Sequence, residues 1–70
     1  MIPLSYATPG EDFVIRRIGG SPEVRKHLEN LGFTVGGIVK VITMLNGSVI
    51  VKVRESRIAI DEGMARKIMI

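Results

Sequence analysis

Seventy residues carry ten Lys and Arg against seven Asp and Glu, a net charge of +3, and no cysteine. Disulfides and thiolate metal sites are thereby excluded, and the length fits one domain at most, spanning residues 1–70 and burying about 60% of its unfolded surface. The scattered basic residues are too few to select nucleic acid as a partner, and ten Ile with eight Val supply a strand-favouring core.

The N-terminal stretch "MIPLSYATPGED" has no basic segment followed by an apolar run, so no signal peptide is expected. No apolar stretch approaches the ~20 residues of a membrane span. The absence of cysteine fits a reducing cytoplasm.

A turn at Pro9-Gly10 leads into a β-rich run from Glu11 to Ile18. The segment "GGSPEVRKHLENLG" then reads as a complete helix. Ser21 is its N-cap, Pro22 its first residue, and Glu23 places negative charge in the first turn. Val24, Leu28 and Leu31 recur at i, i+4 and i+7 as one buried stripe, and Gly32 closes the helix in the left-handed conformation.

"GIVKVITMLNGSVIVKVRES" reads as two strands around Asn46-Gly47. A two-residue loop would put Val41 opposite Lys52. A three-residue loop aligns Val39, Val41 and Thr43 with Val49, Val51 and Val53 on one face, and this is the expected register. Gly47 then supplies the left-handed position of the loop bulge. A short strand at Arg57 to Ile60, a helical turn capped by Asp61 and a last strand from Lys67 to Ile70 complete the chain. Five short strands and one inserted α-helix predict a mainly β fold, a small and strongly bent barrel.

The glycine-rich segment "LGFTVGGIVKVI" raises the question of a phosphate loop. Such a loop needs Lys and Ser or Thr after its last glycine and a following helix, whereas Gly36-Gly37 leads into Ile38-Val39 and a strand. Gly32 is therefore a helix stop and Gly36-Gly37 a turn. "GGSP" at 19–22 does precede a helix, but an ordinary Ser21 cap explains it.

No metal site or cofactor is expected. His27 is the sole histidine and borders the apolar stripe of the helix, where a packed or half-exposed imidazole is its ordinary role. Glu11-Asp12 and Asp61-Glu62 are the only adjacent carboxylates, and no Ser, His and acid grouping is legible, so no catalytic residue is assigned. Tyr6, Phe13 and Phe33 make too thin a stacking platform for nucleic acid, with Phe33 packing under the helix exit. Arg16, Arg17, Arg54 and Arg57 fit solvated positions.

The outer face of the hairpin is less ordinary. Ile38, Ile42, Met44 and Ile50 fall there among Lys40, Lys52 and Arg54, which makes it a candidate partner surface; cover by the helix or the N-terminal segment is the alternative.

Essentially the whole chain resembles the FeoA family of bacterial and archaeal ferrous-iron transport. The resemblance runs through "PLSYATPGEDFVIRRIGG", "VRKHLENLGFTVGGIVKVI", "GSVIVKVRESRIAI" and "EGMARKIMI". One departure is Val35, where the family usually has proline before Gly36. The resemblance implies an SH3-like β-barrel that acts beside FeoB, a membrane permease with a cytoplasmic G-domain, supporting iron uptake and modulating its GTPase or assembly. A monomer or weak homo-oligomer is expected in the cytoplasm, with no direct membrane span and with its partner as the link to the inner face of the membrane. The alternatives are a small-barrel nucleic-acid binder and a stand-alone relative of the domain that ends iron-dependent repressors.

Overall fold

The computed structural model describes residues 1–70. A short 3-10 helix, Leu4–Tyr6, comes first, followed by strands β1 (Asp12–Val14) and β2 (Arg17–Ile18) and helix α1 (Pro22–Leu31). Strands β3 (Ile38–Leu45), β4 (Ser48–Val53) and β5 (Ser56–Asp61) form a meander, and the one-turn helix α2 (Glu62–Ala65) leads to β6 (Ile68–Met69). One sheet has the order β1-β3-β4-β5; β2 and β6 form a second.

Helix α1 follows its sequence signals closely. Val24 donates its N–H to Ser21 Oγ at 3.2 Å, and Pro22 occupies the first turn, where its missing donor costs nothing. At the other end Gly32 has φ 110°, which disfavours any side chain with a Cβ. The chain reversal is closed by Phe33 N–H donating to the Leu28 carbonyl at 3.0 Å. Leu28 and Phe33 are both wholly buried, so the hydrogen-bonded stop is also an apolar contact with the core. Val24 and Leu31 are half-buried at its margin.

The core joins Leu4, Ile15, Leu28, Phe33, Val39, Val41, Val51 and Ile68, none more than 1% exposed. Val39, Val41, Val49, Val51 and Val53 send alternate side chains inward from the hairpin, as the period of two requires. Ile2 and Ile70 exchange main-chain hydrogen bonds at 3.0 and 2.8 Å, tying the N-terminal segment to the end of the chain. Sequence periodicity gave no sign of this clasp.

Two expectations need correction. The run from Glu11 to Ile18 is not one strand, so there are six strands rather than five. Ile15 still exchanges hydrogen bonds with the Gly36-Gly37 turn, at 2.8 and 2.9 Å, but Arg16 N–H turns to the Met69 carbonyl at 2.8 Å. The chain changes partner at that point, because one strand cannot follow both sheets of a strongly bent fold.

The hairpin loop is also shorter than expected. Leu45 pairs with Ser48, leaving Asn46 and Gly47 as a two-residue loop with φ of 48° and 82°, the signature of a type I′ turn. Parity is restored inside β3: Val41 pairs with Val51 and Thr43 with Ile50, so Ile42 is the extra residue of a bulge. Either place for one inserted residue keeps the valines inward. Asn-Gly fits the tight turn well, so the irregularity moves into the strand, where Gly10 N–H donates to the Val41 carbonyl at 2.8 Å. Gly47 therefore serves the turn and not a loop bulge.

The bulge changes which side chains share a face. Thr43 leaves the core row, pairs with Ile50 and is exposed. Met44 pairs with the buried Val49, and so it belongs to the inward row and not to the outer face. It lies at the end of that row, lining a hollow of about 250 Å³ with Ser5, Val49 and Glu62.

Candidate functional site

The pairings of β1, β3, β4 and β5 bring one row of charge across the outer face. Asp12 stands opposite Lys40, Lys40 opposite Lys52, and Lys52 opposite Arg57. Like charges directly opposite each other destabilise a sheet, so three cations in succession need an explanation. Asp12 is the one carboxylate in the row, and it makes no ion pair with Lys40. The one ion pair is elsewhere, Arg66 Nη2 to Glu62 Oε1 at 2.9 Å along α2.

Part of this row opens onto a groove of about 360 Å³. Strand β1 contributes Asp12, β3 contributes Ile38 and Lys40, and β4 contributes Lys52. Arg54, in the two-residue turn between β4 and β5, forms the end wall, and the backbone at Gly32, Thr34 and Gly37 forms the floor. A Cβ at Gly32 would lie 3.5 Å from Arg54 Cδ, so the helix stop brings its backbone against the arginine stem.

The floor depends on the turn that follows α1. Gly37 N–H donates to the Thr34 carbonyl at 2.9 Å, and Gly36 between them has φ 88°, the arrangement of a type II turn. Val35 occupies the position of that turn where proline is common. Arg54 has φ 56°, unusual for a long side chain, and so a basic group is held at the groove by a strained backbone.

Four of the seven surface candidates therefore meet: Ile38, Lys40, Lys52 and Arg54. Ile38 is 53% exposed and sits beside Val14, its pairing partner on β1, which is 45% exposed. Ile42 and Ile50 are half-buried farther along the hairpin and do not line the groove. Met44 faces the other way. Asp12, Val14 and Thr34 were missed from sequence, because only the β1–β3 register brings them beside Ile38 and Lys40. The helix does not cover this end of the face.

The groove offers three cations beside one carboxylate, Asp12, with one aliphatic contact and no activated nucleophile. Its chemistry is that of holding an anionic or mixed acidic and apolar surface. His27 is exposed on α1, and no three His, Cys, Asp or Glu side chains converge. Of the aromatic residues, Phe33 is buried, Phe13 packs against the core and Tyr6 is exposed away from the groove lining.

A family model for the FeoA domain matches residues 2–70. The chain is 37% identical over 70 residues to a Methanocaldococcus jannaschii protein provisionally named Fe(2+) transport protein A, covering 100% of this chain and 85% of that one. A crystal structure of an iron uptake regulatory protein (FeoA) matches with a TM-score of 0.88 and 32% identity, over 97% of this chain and 90% of the other. Iron(II) transport protein A from Clostridium thermocellum gives a TM-score of 0.88 at 22% identity, over 97% of this chain and 43% of that one. ScaR with bound Zn²⁺ gives 0.87 at 18%, over 97% of this chain and 35% of ScaR, a likeness of fold alone. These neighbours share the mainly β, SH3-like architecture described above, and the chain belongs to the FeoA family of ferrous-iron transport proteins.

Proposed function

We propose that this chain is a non-catalytic accessory protein of ferrous-iron uptake that docks on a FeoB-type permease at its cytoplasmic G-domain. The observation that carries the reading is the groove of Ile38, Lys40, Lys52 and Arg54, whose three cations outnumber the single carboxylate beside them, Asp12, and form no ion pair within the chain. A partner presenting carboxylates around an aliphatic contact would neutralise the row and cover Ile38. The apolar centre would hold the complex, and the basic rim would mainly raise the association rate. Docking there would bias the assembly of the permease or its GTP hydrolysis. No helix is long and apolar enough to cross a membrane, so the permease supplies the membrane contact in this reading.

The test is calorimetric titration of the protein against the cytoplasmic part of a FeoB-type permease, with and without guanine nucleotide. Binding should fall at least tenfold in Ile38→Asp, whose side chain is exposed and whose fold should survive. Absence of binding in every nucleotide state would overturn the reading. Retention on DNA or RNA that collapses steeply with salt would replace it by nucleic-acid binding.

A further inference from the structure

Strand β5 is the outer edge of the four-stranded sheet, and its far side is unpaired. Val53 and Ser56 flank a two-residue turn and so form a hydrogen-bonded pair, a pattern that repeats at every second pair. Ser56, Ile58 and Ile60 thus direct their main-chain groups to β4. The N–H and C=O of Arg57 and Ala59, and the N–H of Asp61, point away from it. None of the turn, loop and cap hydrogen bonds reaches these groups, and all three residues are exposed. Of the usual protections of an edge, β5 carries only the outward charges of Arg57 and Asp61, which are of opposite sign; it has no proline, no lysine, no bulge and no inward charge.

We propose that β5 pairs antiparallel with β5 of a second copy of this chain, about a two-fold axis at Ala59. In this register Ala59 exchanges both main-chain bonds with its counterpart, and each Asp61 N–H reaches the Arg57 carbonyl of the other copy. Residues directly opposite share a face. On the outer face Arg57 meets Asp61 of the second copy, and on the inner face the half-buried Ile58 meets Ile60. Shifting the axis by one residue either way sets Arg57 or Asp61 against Ala59 and loses the ion pair.

Charge complementarity selects a second copy over an unrelated strand. The row Asp12, Lys40, Lys52, Arg57 ends on three cations, and pairing places a carboxylate next to the last of them. Asp61 caps α2 through Oδ1, which accepts from Met64 N–H at 2.7 Å, and so Oδ2 is left for the arginine. The contact is isologous, so it closes as a dimer rather than growing into a filament. One strand pair is a small interface, which sets the affinity at the weak end, with a dissociation constant on the order of 0.1–1 mM.

Sedimentation equilibrium up to about 2 mM protein, with amide hydrogen exchange followed by NMR at each concentration, tests the proposal. The weight-average mass should climb toward twice that of the monomer, and protection of the Ala59 and Asp61 amides should rise in parallel. Arg57→Asp should weaken association at least tenfold while the monomer stays folded. Ala59→Pro should do the same, because it removes an N–H that bonds nothing in the monomer and edge strands tolerate proline. A monomeric mass throughout would overturn the proposal. So would a dimer in which the Ala59 amide exchanges freely, or Arg57→Asp associating like the parent.

Discussion

Lys40 and Lys52 stand directly opposite each other in the β3–β4 ladder, and neither has a carboxylate of the chain within ion-pair distance. Lys52 also faces Arg57 on its other side. The arrangement weakens the isolated fold and is the kind of conflict expected at a binding surface. Lys52→Glu should therefore stabilise the domain, by about 0.2–1 kcal/mol for each cross-strand contact converted from repulsion to attraction. The same change should weaken binding to the permease fragment, most clearly at low salt. Urea denaturation and calorimetry on one preparation give both numbers, and a variant less stable than the parent would contradict the pairing.

Arg54 supplies a second case in which stability and binding oppose each other. Its φ of 56° suits glycine, and residues held in such regions cost about 1–3 kcal/mol. Arg54→Gly should raise the denaturation midpoint, less whatever is lost from the arginine stem beside Gly32, while partner affinity falls. A lower midpoint would mean that stem packing outweighs backbone strain.

Val35 is 65% exposed and precedes Gly36 in the type II turn at the groove floor. No hydrogen bond is donated by its N–H among the turn and loop bonds, so proline removes nothing that is used there. Val35→Pro should stabilise by about 0.4–1 kcal/mol, mainly by restricting the unfolded chain. Thermal unfolding measures this directly. A loss of stability would show that Val35 departs from the turn geometry that Gly36 and Gly37 imply.

Leu28 is wholly buried, while Val24, one turn earlier on the same stripe, is only half-buried. Leu28→Ala should cost about 2–5 kcal/mol, a large share of the stability of so small a domain. Val24→Ala should cost clearly less. Gly32→Val should also be severe, because a β-branched side chain resists a φ of 110°. Equal denaturation midpoints for the two alanine variants would misplace the buried face of α1.

Helix α1 was legible in the sequence because its signals act within a few residues. A serine cap, a first-turn proline, a stripe at i, i+4 and i+7, and a glycine stop need no knowledge of distant chain. The type I′ preference of Asn46-Gly47 is equally local, as is the cap that Asp61 makes for α2. The order of these segments was enough to identify the family. Register was a different matter. The alternation of valines required one extra residue somewhere in the hairpin, and sequence parity cannot say whether it sits in the loop or in a strand. Tertiary contacts settled it at Ile42, beside the Val41 carbonyl that Gly10 occupies, and this put Met44 on the core side of the sheet, where it stays 40% exposed, and Thr43 on the outer side. The groove depended on the same long-range pairing. Asp12, Lys40, Lys52 and Arg57 are spread over 46 positions of the chain, from 12 to 57, and stand in one row only because three strand registers align them. Local propensity fixes the backbone of a few residues at a time, and only the folded sheet decides which distant side chains share a face.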